Sequence, residues 1–357
     1  MLPGVKRTVL VSPINWGLGH ATRVIPIIRL LKKSGFNVVI GAYGSSSVLL
    51  KKECPDCVHV ELKGFNPYYS SSFSQSFALM VQSCSFLFWK IREHKRTKKI
   101  VKDHNIDFII SDNRYGVRHK NIRSVIITHQ LSPKLNGLFK LFEGAAARFF
   151  KKWIARFDEC WIPDVSDTPG ISGVLSENRY GINNVKRIGI LSRFNKCVEP
   201  AGHKYKYLAV ISGPEPWRSL LEKDVLVLFS AFKEKCAIVR GVPEGGGREY
   251  DVDGITYFDH LDSEALNNLM CSSENLLCRP GYSTLLDLFK IGRRALLVPT
   301  PGQPEQEYLA GHLSTHFGFL YVEQKDITSV DTSTFRLYEK NFNLLSSNLN
   351  EKLPVEI

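Results

Sequence analysis

The sequence predicts two doubly wound α/β domains, each a parallel sheet covered by helices on both faces. The chain has 357 residues and a mass of 40.4 kDa, which is too long for one ordinary core and fits two domains of roughly 150 residues. Short β-branched stretches alternate with helical stretches along the chain, a pattern typical of parallel sheets. Hydrophobic residues make up 43% and charged residues 23%, which excludes wholesale disorder, collagen and coiled coil.

The first forty residues predict a βαβ opening. Thr8–Ser12 is a short β-branched strand that leads into a glycine-bearing loop. Ala21–Ser34 carries apolar residues at helical spacing, and Phe36–Ala42 is the next buried strand. Similar strands recur at Asp107–Ser111 and Ser124–Thr128, with helical stretches between them. These elements predict the first sheet.

A second series of elements follows a polar, glycine-bearing stretch at residues 195–206. Its predicted strands are Tyr207–Ile211, Ala237–Arg240, Ile255–Phe258, Asn275–Cys278 and Arg294–Val298. We therefore predict an N-terminal domain of residues 1–198 and a C-terminal domain of residues 199–357. In such sheets ligands bind beyond the carboxyl ends of the strands, so the chemistry is expected in the loops that follow them.

The net charge of +12 is unevenly distributed. Residues 1–195 contain 30 Lys and Arg against 13 Asp and Glu, whereas the rest of the chain has a net charge of −5. A basic N-terminal half indicates an anionic partner: nucleic acid, an anionic membrane surface or a phosphorylated substrate.

Eight cysteines in a chain of this length do not predict a disulfide scaffold. Cys54 and Cys57 form a CxxC pair, but no second pair has zinc-ribbon spacing, so no metal site is expected. The N-terminal residues lack the features of a signal peptide. We expect a reduced, cytoplasmic chain that is soluble or attached to the inner face of the cell membrane only at its surface.

The loop after the first strand reads Asn15-Trp16-Gly17-Leu18-Gly19-His20-Ala21-Thr22-Arg23. Gly17 and Gly19 let the backbone turn sharply and approach a ligand closely. His20 lies at the predicted helix start, where it is either a general base or a helix cap. The loop is neither a Rossmann fingerprint nor a P-loop, because the third glycine and the Gly-Lys-Ser/Thr sequence are missing.

Two stretches of the C-terminal half carry further candidate residues. In the first, a strand leads through Pro280-Gly281 into a helix that begins with Ser283 and Thr284 as expected hydroxyl caps. The backbone N–H groups of that helix could hold a phosphate, and Asp287, one turn further on, could bind a ribose diol. The second, residues 298–308, is a proline-rich loop with amide and carboxylate groups suited to hydroxyl-rich ligands. The first stretch is also compatible with an ordinary capped helix, and composition alone favours a plain surface loop for the second.

Taken together, the loop at residues 15–23 and the stretch at residues 278–310 resemble GT-B glycosyltransferases of family 28. That family includes the lipid-intermediate N-acetylglucosaminyltransferase of peptidoglycan synthesis and plant diacylglycerol galactosyltransferases. The Gly-x-Gly-His loop, the arginine-x-glycine turn, Thr284, Asp287 and the segment 306–308 occur in the family's order. The resemblance implies the GT-B fold, two Rossmann-like domains facing each other across a cleft.

The resemblance also implies a donor site in the C-terminal domain. Ser212 and Gly213 match a turn that approaches the donor pyrophosphate, and Gly281, Ser283 and Thr284 match the second phosphate-binding turn. Asp287 replaces a family glutamate that binds the ribose. Gln306 matches the first of two glutamines that face the sugar, and Glu307 replaces the second. Pro214 and Pro216 remove N–H groups that a phosphate would need.

The reaction implied is inverting transfer of a hexosyl group from a nucleotide-diphosphate sugar, with UDP-sugar as the expected donor. His20 takes the place of the family's general base, assisted by Asp112. Gly17, Gly19, Arg23, Asn113 and His129 are expected on the acceptor side, because Asp112, Asn113 and His129 follow two predicted N-domain strands. Helix N-termini would stabilise the leaving diphosphate, so neither a metal nor a cofactor is expected.

Two alternatives remain open from the sequence. Some nucleotide-sugar hydrolases have a similar Gly-x-Gly-His-x-x-Arg loop, and Arg23 matches its arginine. A basic nucleic-acid-binding protein is the third hypothesis, although the sequence shows no interleaved aromatic and basic motif of an RNA-binding fold.

Two basic segments of the N-terminal half predict contact with an anionic membrane surface. Leu138–Phe157 is predicted as one amphipathic helix rich in Phe, Trp, Lys and Arg, and Ile91–Lys102 is a denser basic cluster. Such helices lie at membrane interfaces, or pack on a domain with a solvated basic face.

Overall fold

The computed structural model describes residues 6–66, 82–135, 137–197 and 202–336. The chain forms two compact units that divide between Leu191 and Ser192. Ser192 bonds to Asp287, and Cys197 forms a disulfide with Cys271. These contacts attach the segment 192–197 to the second unit.

The first unit contains a seven-stranded sheet and its helices. The strands are β1 (Thr8–Pro13), β2 (Asn37–Ala42), β3 (Val58–Glu61), β4 (Phe108–Asp112), β5 (Ser124–Ile127), β6 (Glu159–Ile162) and β7 (Val185–Arg187). The α-helices are α1 (Leu18–Lys33), α2 (Gly44–Glu53), α3 (Ser83–Asp103) and α4 (Glu143–Ile154), and short 3-10 turns occupy Gly137–Phe142 and Gly173–Ser176.

The strand order of the first sheet is β3-β2-β1-β4-β5-β6-β7, with every neighbouring pair parallel. The order reverses direction between β1 and β4, and in doubly wound sheets this switch point opens the crevice where ligands bind. Apolar residues of β1, β4 and α1, such as Val9, Ile110 and Ile28, are buried in the core between sheet and helix. The predicted doubly wound α/β class is confirmed.

The predicted single helix Leu138–Phe157 is wrong. A 3-10 turn covers Gly137–Phe142, and the α-helix begins only at Glu143 and ends at Ile154. Leu141 and Phe142 of the turn are 85% and 60% exposed, respectively. The turn therefore does not share the buried face of α4, which packs through Trp153 and Ile154.

The second unit contains another seven-stranded sheet. Its strands are β8 (Tyr205–Val210), β9 (Cys236–Val239), β10 (Glu249–Val252), β11 (Ile255–Phe258), β12 (Ser273–Cys278), β13 (Leu296–Leu297) and β14 (Leu320–Tyr321). The α-helices are α5 (Trp217–Ser230), α6 (Ser263–Cys271), α7 (Tyr282–Ile291), α8 (Pro304–Phe317) and α9 (Thr332–Arg336), with 3-10 turns at Pro243–Gly245 and Gln324–Ser329.

The second sheet has the order β10-β11-β9-β8-β12-β13-β14, and its switch point lies between β8 and β12. Neighbouring strands are parallel except β10 and β11, which form an antiparallel hairpin. Tyr207, Leu277 and Phe229 contribute to its buried core. Each switch point is followed by one of the loops that the sequence singles out.

The disulfide between Cys197 and Cys271 differs from the expected reduced chain. The two Cα atoms are 5.4 Å apart, within the range that a disulfide spans. The two cysteines are 74 residues apart in the sequence, so the sequence did not predict that they form a disulfide. No helix in the described parts of the chain is both long and apolar enough to cross a bilayer.

Candidate functional site

The first candidate site lies at the switch point of the first sheet. Asp112 is the last residue of β4 and pairs in register with Pro13 at the end of β1. The chain then turns at Gly17, whose φ of 77° is in the left-handed region that favours glycine. Helix α1 begins at Leu18, so His20 lies in its first turn. The β1 loop and the end of β4 thus place His20 beside Asp112.

Arg23 links the polar side chains of this site. Its Nε donates to Asp112 Oδ2 at 3.1 Å, and its Nη2 donates to Asp112 Oδ1. Nη2 is also 2.9 Å from His20 Nδ1, and Nη1 is 3.3 Å from His129 Nδ1. Arg23 and Asp112 are almost fully buried, and their bidentate pairing holds both side chains in fixed positions at the base of the site.

The charge of Asp112 is set by this pair. Burial by itself would raise its pKa, but the charges and hydrogen bonds of Arg23 and His20 outweigh burial and lower the pKa to about 2. Asp112 is therefore a carboxylate throughout the neutral range, and its Oδ1 is 3.2 Å from His20 Nδ1.

The tautomer of His20 determines what the site can do. Nδ1 can donate to Asp112 or accept from Arg23, but it cannot do both at once. When Nδ1 carries the proton and donates to Asp112, Nε2 has a lone pair and can accept a proton from a substrate hydroxyl. The partly exposed ring on a buried carboxylate is the geometry that a general base needs.

The structure brings His129 and Asn113 to the same sheet edge, but in different roles. His129 is buried, and its Nδ1 lies within hydrogen-bond distance of the Arg23 guanidinium, so it helps to hold that group in place. Asn113 has a φ of 54°, and its N–H donates to the oxygen of Ile127 across the sheet. The buried positions of Arg23 and His129 favour positioning roles over the direct acceptor contacts predicted for them.

The cap hypothesis for His20 is wrong. The N-cap of α1 is Gly17, and no side chain of the described residues caps the helix. His20 is the third helical residue, and its ring points to Asp112 on a neighbouring strand. The same correction applies to Ser283 and Thr284. Helix α7 begins at Tyr282 behind the N-cap Gly281, without a side-chain cap.

The predicted donor residues lie at the switch point of the second sheet. Ser212 and Gly213 follow β8 directly, and Gly213 has a φ of 114°. Gly281 follows β12 and opens α7, whose first N–H groups include those of Ser283 and Thr284. Since β8 and β12 are neighbours, both turns lie at one edge of the sheet. Helix N-termini in such a position bind phosphate.

Asp287 lies on α7, and its side chain is buried and hydrogen-bonded rather than fully exposed to solvent. Ser192 Oγ donates to Asp287 Oδ1 at 2.5 Å and accepts from the N–H of Phe194 at 3.1 Å. Burial raises the pKa of Asp287 to about 6, although Arg193 and the Ser192 hydrogen bond act in the opposite direction. Ser192 is a partner that the sequence did not indicate, because 95 residues separate the two.

Gln306 and Glu307 brace the loop in front of α8. Gln306 Oε1 accepts from the N–H of Thr300 at 2.9 Å, and Glu307 Oε1 accepts from the N–H of Gly302 at 2.8 Å. The helix is capped by Gln303, whose side chain accepts from the N–H of Gln306 at 2.5 Å. The predicted sugar-facing pair thus also fixes its own loop.

Arg279 is the structural residue of this edge that was not among the predicted site residues. It is fully buried, and its guanidinium donates to the carbonyl oxygens of Val298, Pro299 and Trp217 at 3.0, 2.9 and 3.0 Å. A fourth bond, of 2.7 Å, goes to Gln324 Oε1. Burial lowers the pKa of Arg279 to about 10, with Asp224 opposing. One side chain therefore joins the β12, β13 and α5 segments.

In the part of the chain that the structure describes, no group of three His, Cys, Asp or Glu side chains is arranged so that it could hold a metal ion. Asp251, of the Asp-x-Asp sequence, lies on strand β10 and accepts from the N–H of Gly254 at 2.9 Å. This sequence belongs to the β-hairpin of β10 and β11.

Comparison with known proteins supports the same architecture. Residues 243–352 match the model of the glycosyltransferase family 28 C-terminal domain. A comparison with curated protein sequences finds no match.

Solved glycosyltransferase structures share the fold over nearly the whole chain. The glycosyltransferase SnogD from Streptomyces nogalater is 13% identical with a TM-score of 0.61, covering 94% of this chain and 91% of that chain. MurG from Acinetobacter baumannii is 13% identical with a TM-score of 0.53, covering 93% and 92%. The spinosyn rhamnosyltransferase SpnG complexed with thymidine diphosphate is 14% identical with a TM-score of 0.56, covering 93% and 90%.

Proposed function

We propose that the chain is a glycosyltransferase that transfers a hexosyl group from a nucleotide-diphosphate sugar to an acceptor hydroxyl with inversion. The proposal is supported by the match of residues 243–352 to the glycosyltransferase family 28 C-terminal domain and by the fold shared with solved glycosyltransferases. The first donor to test is a UDP-sugar, and a TDP-sugar is the second because one structural neighbour binds thymidine diphosphate. The observation that carries the proposal is the buried, ionised Asp112 that holds His20 at the switch point of the first sheet.

His20 is the proposed general base. With Nδ1–H donating to Asp112, Nε2 removes the proton of the acceptor hydroxyl as its oxygen bonds to the anomeric carbon of the donor. The bond from that carbon to the diphosphate breaks, and its electron pair leaves with the diphosphate. Arg23 acts through Asp112, because the N–H groups of Arg23 are directed to the buried side chains of Asp112 and His129.

The second unit is proposed to bind the donor. The turn at Ser212–Gly213 and the N-terminus of α7 at Gly281 would hold the diphosphate through backbone N–H groups, which stabilise the leaving group as its charge develops. Asp287 would bind the ribose through Oδ2, since Oδ1 accepts from Ser192. We expect Asp287→Ala to weaken the affinity for free nucleoside diphosphate by roughly ten- to a hundredfold.

An amphiphilic, lipid-linked acceptor is supported by an aromatic series within the first unit. Trp16, in the His20 loop, contacts Phe65 at a centroid distance of 6.2 Å, and Phe65 contacts Phe86 at 5.4 Å. Phe86 stacks on Trp153 at 5.3 Å, and Trp153 contacts Phe149, an exposed residue of α4, at 4.2 Å. Packed aromatic side chains thus extend from the loop of the proposed base, through the interior of the unit, to Phe149 on its outside.

The exposed end of this series is proposed to face an anionic membrane. The large apolar side chains exposed there belong to α3, the 3-10 turn and α4, and we call them the apolar patch: Leu87, Phe88, Ile91, Leu141, Phe142 and Phe149. The same helices, α3 and α4, also carry basic residues, so these elements could combine apolar insertion with attraction to anionic lipids.

A nucleotide-sugar hydrolase of the same fold is the second candidate. It is favoured by Arg23, which completes the Gly-x-Gly-His-x-x-Arg pattern and contacts both His20 and Asp112. In that reaction water replaces the acceptor hydroxyl, and the same base removes its proton.

One experiment separates these functions. The protein is incubated with labelled UDP- and TDP-sugars, with and without total lipid extract. Acceptor-dependent release of the nucleotide, with the label in the lipid fraction, is the expected result. Release that does not depend on lipid supports the hydrolase, whereas no release together with tight RNA binding contradicts both enzymatic functions.

A further inference from the structure

Residues 192–197, which directly follow the division between the two units, lie along one face of helix α6, and we call them the strap. Their partners on this helix are spaced four residues apart, which places them on the same face: Ser263, Asn267 and Cys271. The N–H of Asn195 donates to Asn267 Oδ1 at 2.7 Å. The disulfide joins Cys197 to Cys271 and so attaches the end of the strap to the end of the helix.

The first residue of the strap holds the carboxylate of Asp287. Ser192 Oγ donates to Asp287 Oδ1 at 2.5 Å and accepts from the N–H of Phe194 at 3.1 Å. Ser192 and Phe194 are both buried. A hydroxyl has one proton to donate, so these two bonds fix its direction. The position of the strap therefore determines how Asp287 is oriented.

A buried amide links the disulfide to the middle of the strap. Asn267 Nδ2 donates to Cys271 Sγ at 3.2 Å, while Oδ1 of the same side chain accepts from the N–H of Asn195. Asn267 is 8% exposed. Breaking the disulfide would release the end of the strap and alter the sulfur that orients this amide, while the bond from the N–H of Cys197 to the oxygen of Ile291 remains available.

The strap also supplies the groups that favour the charged form of Asp287. Against the effect of burial, the charge of Arg193 and the hydrogen bond from Ser192 lower the pKa of Asp287. A protonated carboxyl is a weaker acceptor for a ribose hydroxyl than a carboxylate is. Displacement of the strap would therefore weaken this acceptor as well as leave it less well oriented.

We infer that Ser192 is a positioning residue for the proposed donor carboxylate and that the Cys197–Cys271 disulfide holds it in place, so that a dithiol reductant weakens donor binding. The inference rests on the proposed role of Asp287 in binding the donor ribose. With the disulfide intact, the carboxylate is fixed before the donor arrives, which lowers the ordering cost of binding. Reduction restores that cost.

The disulfide is accessible to the reductant, because Cys197 and Cys271 are only partly buried and Lys196 is exposed. A thiolate of the dithiol attacks one sulfur, the S–S bond breaks, and the released cysteine thiolate takes up a proton. The second thiol of the reductant then displaces the other cysteine, and the reductant becomes a cyclic disulfide. Two electrons and two protons thus pass from the dithiol to the two cysteines.

The test is a thermodynamic cycle that combines reduction with Ser192→Ala. Calorimetric titration with UDP and with TDP measures the affinity of the wild-type protein and the variant, each untreated and reduced with dithiothreitol. We expect reduction to weaken the wild-type affinity about tenfold, and Ser192→Ala to weaken it about tenfold without reduction. Because both changes act through one hydrogen bond, reduction of Ser192→Ala should alter its affinity by about twofold or less.

Two control variants separate positioning from stability. Ser230→Ala, at an exposed serine that ends α5, should respond to reduction like the wild-type protein. Cys197→Ser with Cys271→Ser should bind like the reduced wild-type protein, with or without reductant. Reduction should lower the melting temperature of the wild-type protein and of Ser192→Ala alike, whereas a disulfide with a purely structural role would weaken the affinity of both proteins equally.

Equal affinities of the untreated and the reduced wild-type protein would overturn the inference. Equal losses of affinity on reduction in the wild-type protein and in Ser192→Ala would also overturn it. Neither result contradicts the proposed donor site, because the untreated protein binds in both cases. Failure of the untreated wild-type protein to bind either nucleoside diphosphate would overturn the proposed donor site together with this inference.

Discussion

At the residue scale, the candidate active site depends on a carboxylate that is both buried and charged. Asp112 keeps its charge because Arg23 supplies two hydrogen bonds inside the protein, and a buried carboxylate without such a partner would instead take up a proton. The paired carboxylate orients His20, so the three side chains act as one unit.

We expect His20→Ala to lower kcat by about 10²–10⁴ and leave the donor affinity nearly unchanged, because the proposed donor contacts all belong to the second unit. Its melting temperature should stay close to that of the wild-type protein, since His20 does not cap α1. Both are measured together with His316→Ala, an exposed control on α8. Full activity in a folded His20→Ala protein would exclude the general-base role.

Asp112→Asn should behave differently, because it leaves the guanidinium of Arg23 buried without its counter-charge. Breaking a buried pair in this way costs about 3–5 kcal/mol. We expect a lower free energy of unfolding in urea as well as a lower kcat. A variant of unchanged stability would show that Arg23 finds another partner.

Asp287 gives a prediction for pH. Its pKa is about 6 in the folded protein, against the ordinary aspartate value of 3.8, so the folded state binds more protons than the unfolded state between these values. Stability should therefore fall as pH rises from about 4 to about 6, by about 2–3 kcal/mol from this residue, and then remain constant.

The pH prediction is checked by urea unfolding of the wild-type protein and Asp287→Asn at several pH values. The difference in unfolding free energy between the two should change across this window in favour of the variant at the higher pH. A difference that is independent of pH would mean that Asp287 titrates normally.

At the scale of elements, side chains from other segments fix the loops at the edge of the second sheet where the proposed donor residues lie. Arg279 donates to three carbonyl oxygens, those of Val298 and Pro299 in the loop after β13 and that of Trp217 in α5. Gln306 and Glu307 bond the loop N–H groups in front of α8. The backbone N–H groups proposed to bind diphosphate are thus held in place before a ligand arrives, which lowers the ordering cost of binding.

Arg279→Met should therefore destabilise the second unit by about 3–5 kcal/mol, because several buried carbonyl oxygens lose their donor. The folded fraction should also bind nucleoside diphosphate more weakly. Thermal unfolding and calorimetric titration measure the two effects, with Arg248→Met on the exposed hairpin as control. Equal stability of the two variants would contradict the bracing role.

At the scale of the whole molecule, the two units carry opposite net charge, and a disulfide closes a long loop in the second. The chain-entropy model gives about 4–5 kcal/mol for a bridge across 74 residues, and disulfides typically stabilise the folded state by about 2–4 kcal/mol. Cys197→Ser with Cys271→Ser should lose this stability.

The disulfide prediction is checked by thermal unfolding with and without a dithiol reductant. Reduction should destabilise the wild-type protein and leave the double variant unaffected. Mass spectrometry after thiol alkylation establishes whether the bridge is present, and alkylation of both cysteines in the untreated, folded protein would contradict it.

The sequence by itself determined the two-domain α/β class, the positions of most strands, and the loops that hold the candidate residues. It could do so because local patterns of neighbouring residues predict a buried strand, a helix face or a glycine turn. In addition, the carboxyl ends of parallel strands meet at one edge of a sheet. The resemblance to family 28 motifs added the order of the residues proposed to bind the donor.

Only the tertiary structure decided how those residues are used. Arg23 and Asp112 are 89 residues apart, Ser192 and Asp287 are 95 apart, and Cys197 and Cys271 are 74 apart, so no local pattern indicates these pairs. Burial decides whether a charge needs a partner, and burial is a property of the folded chain.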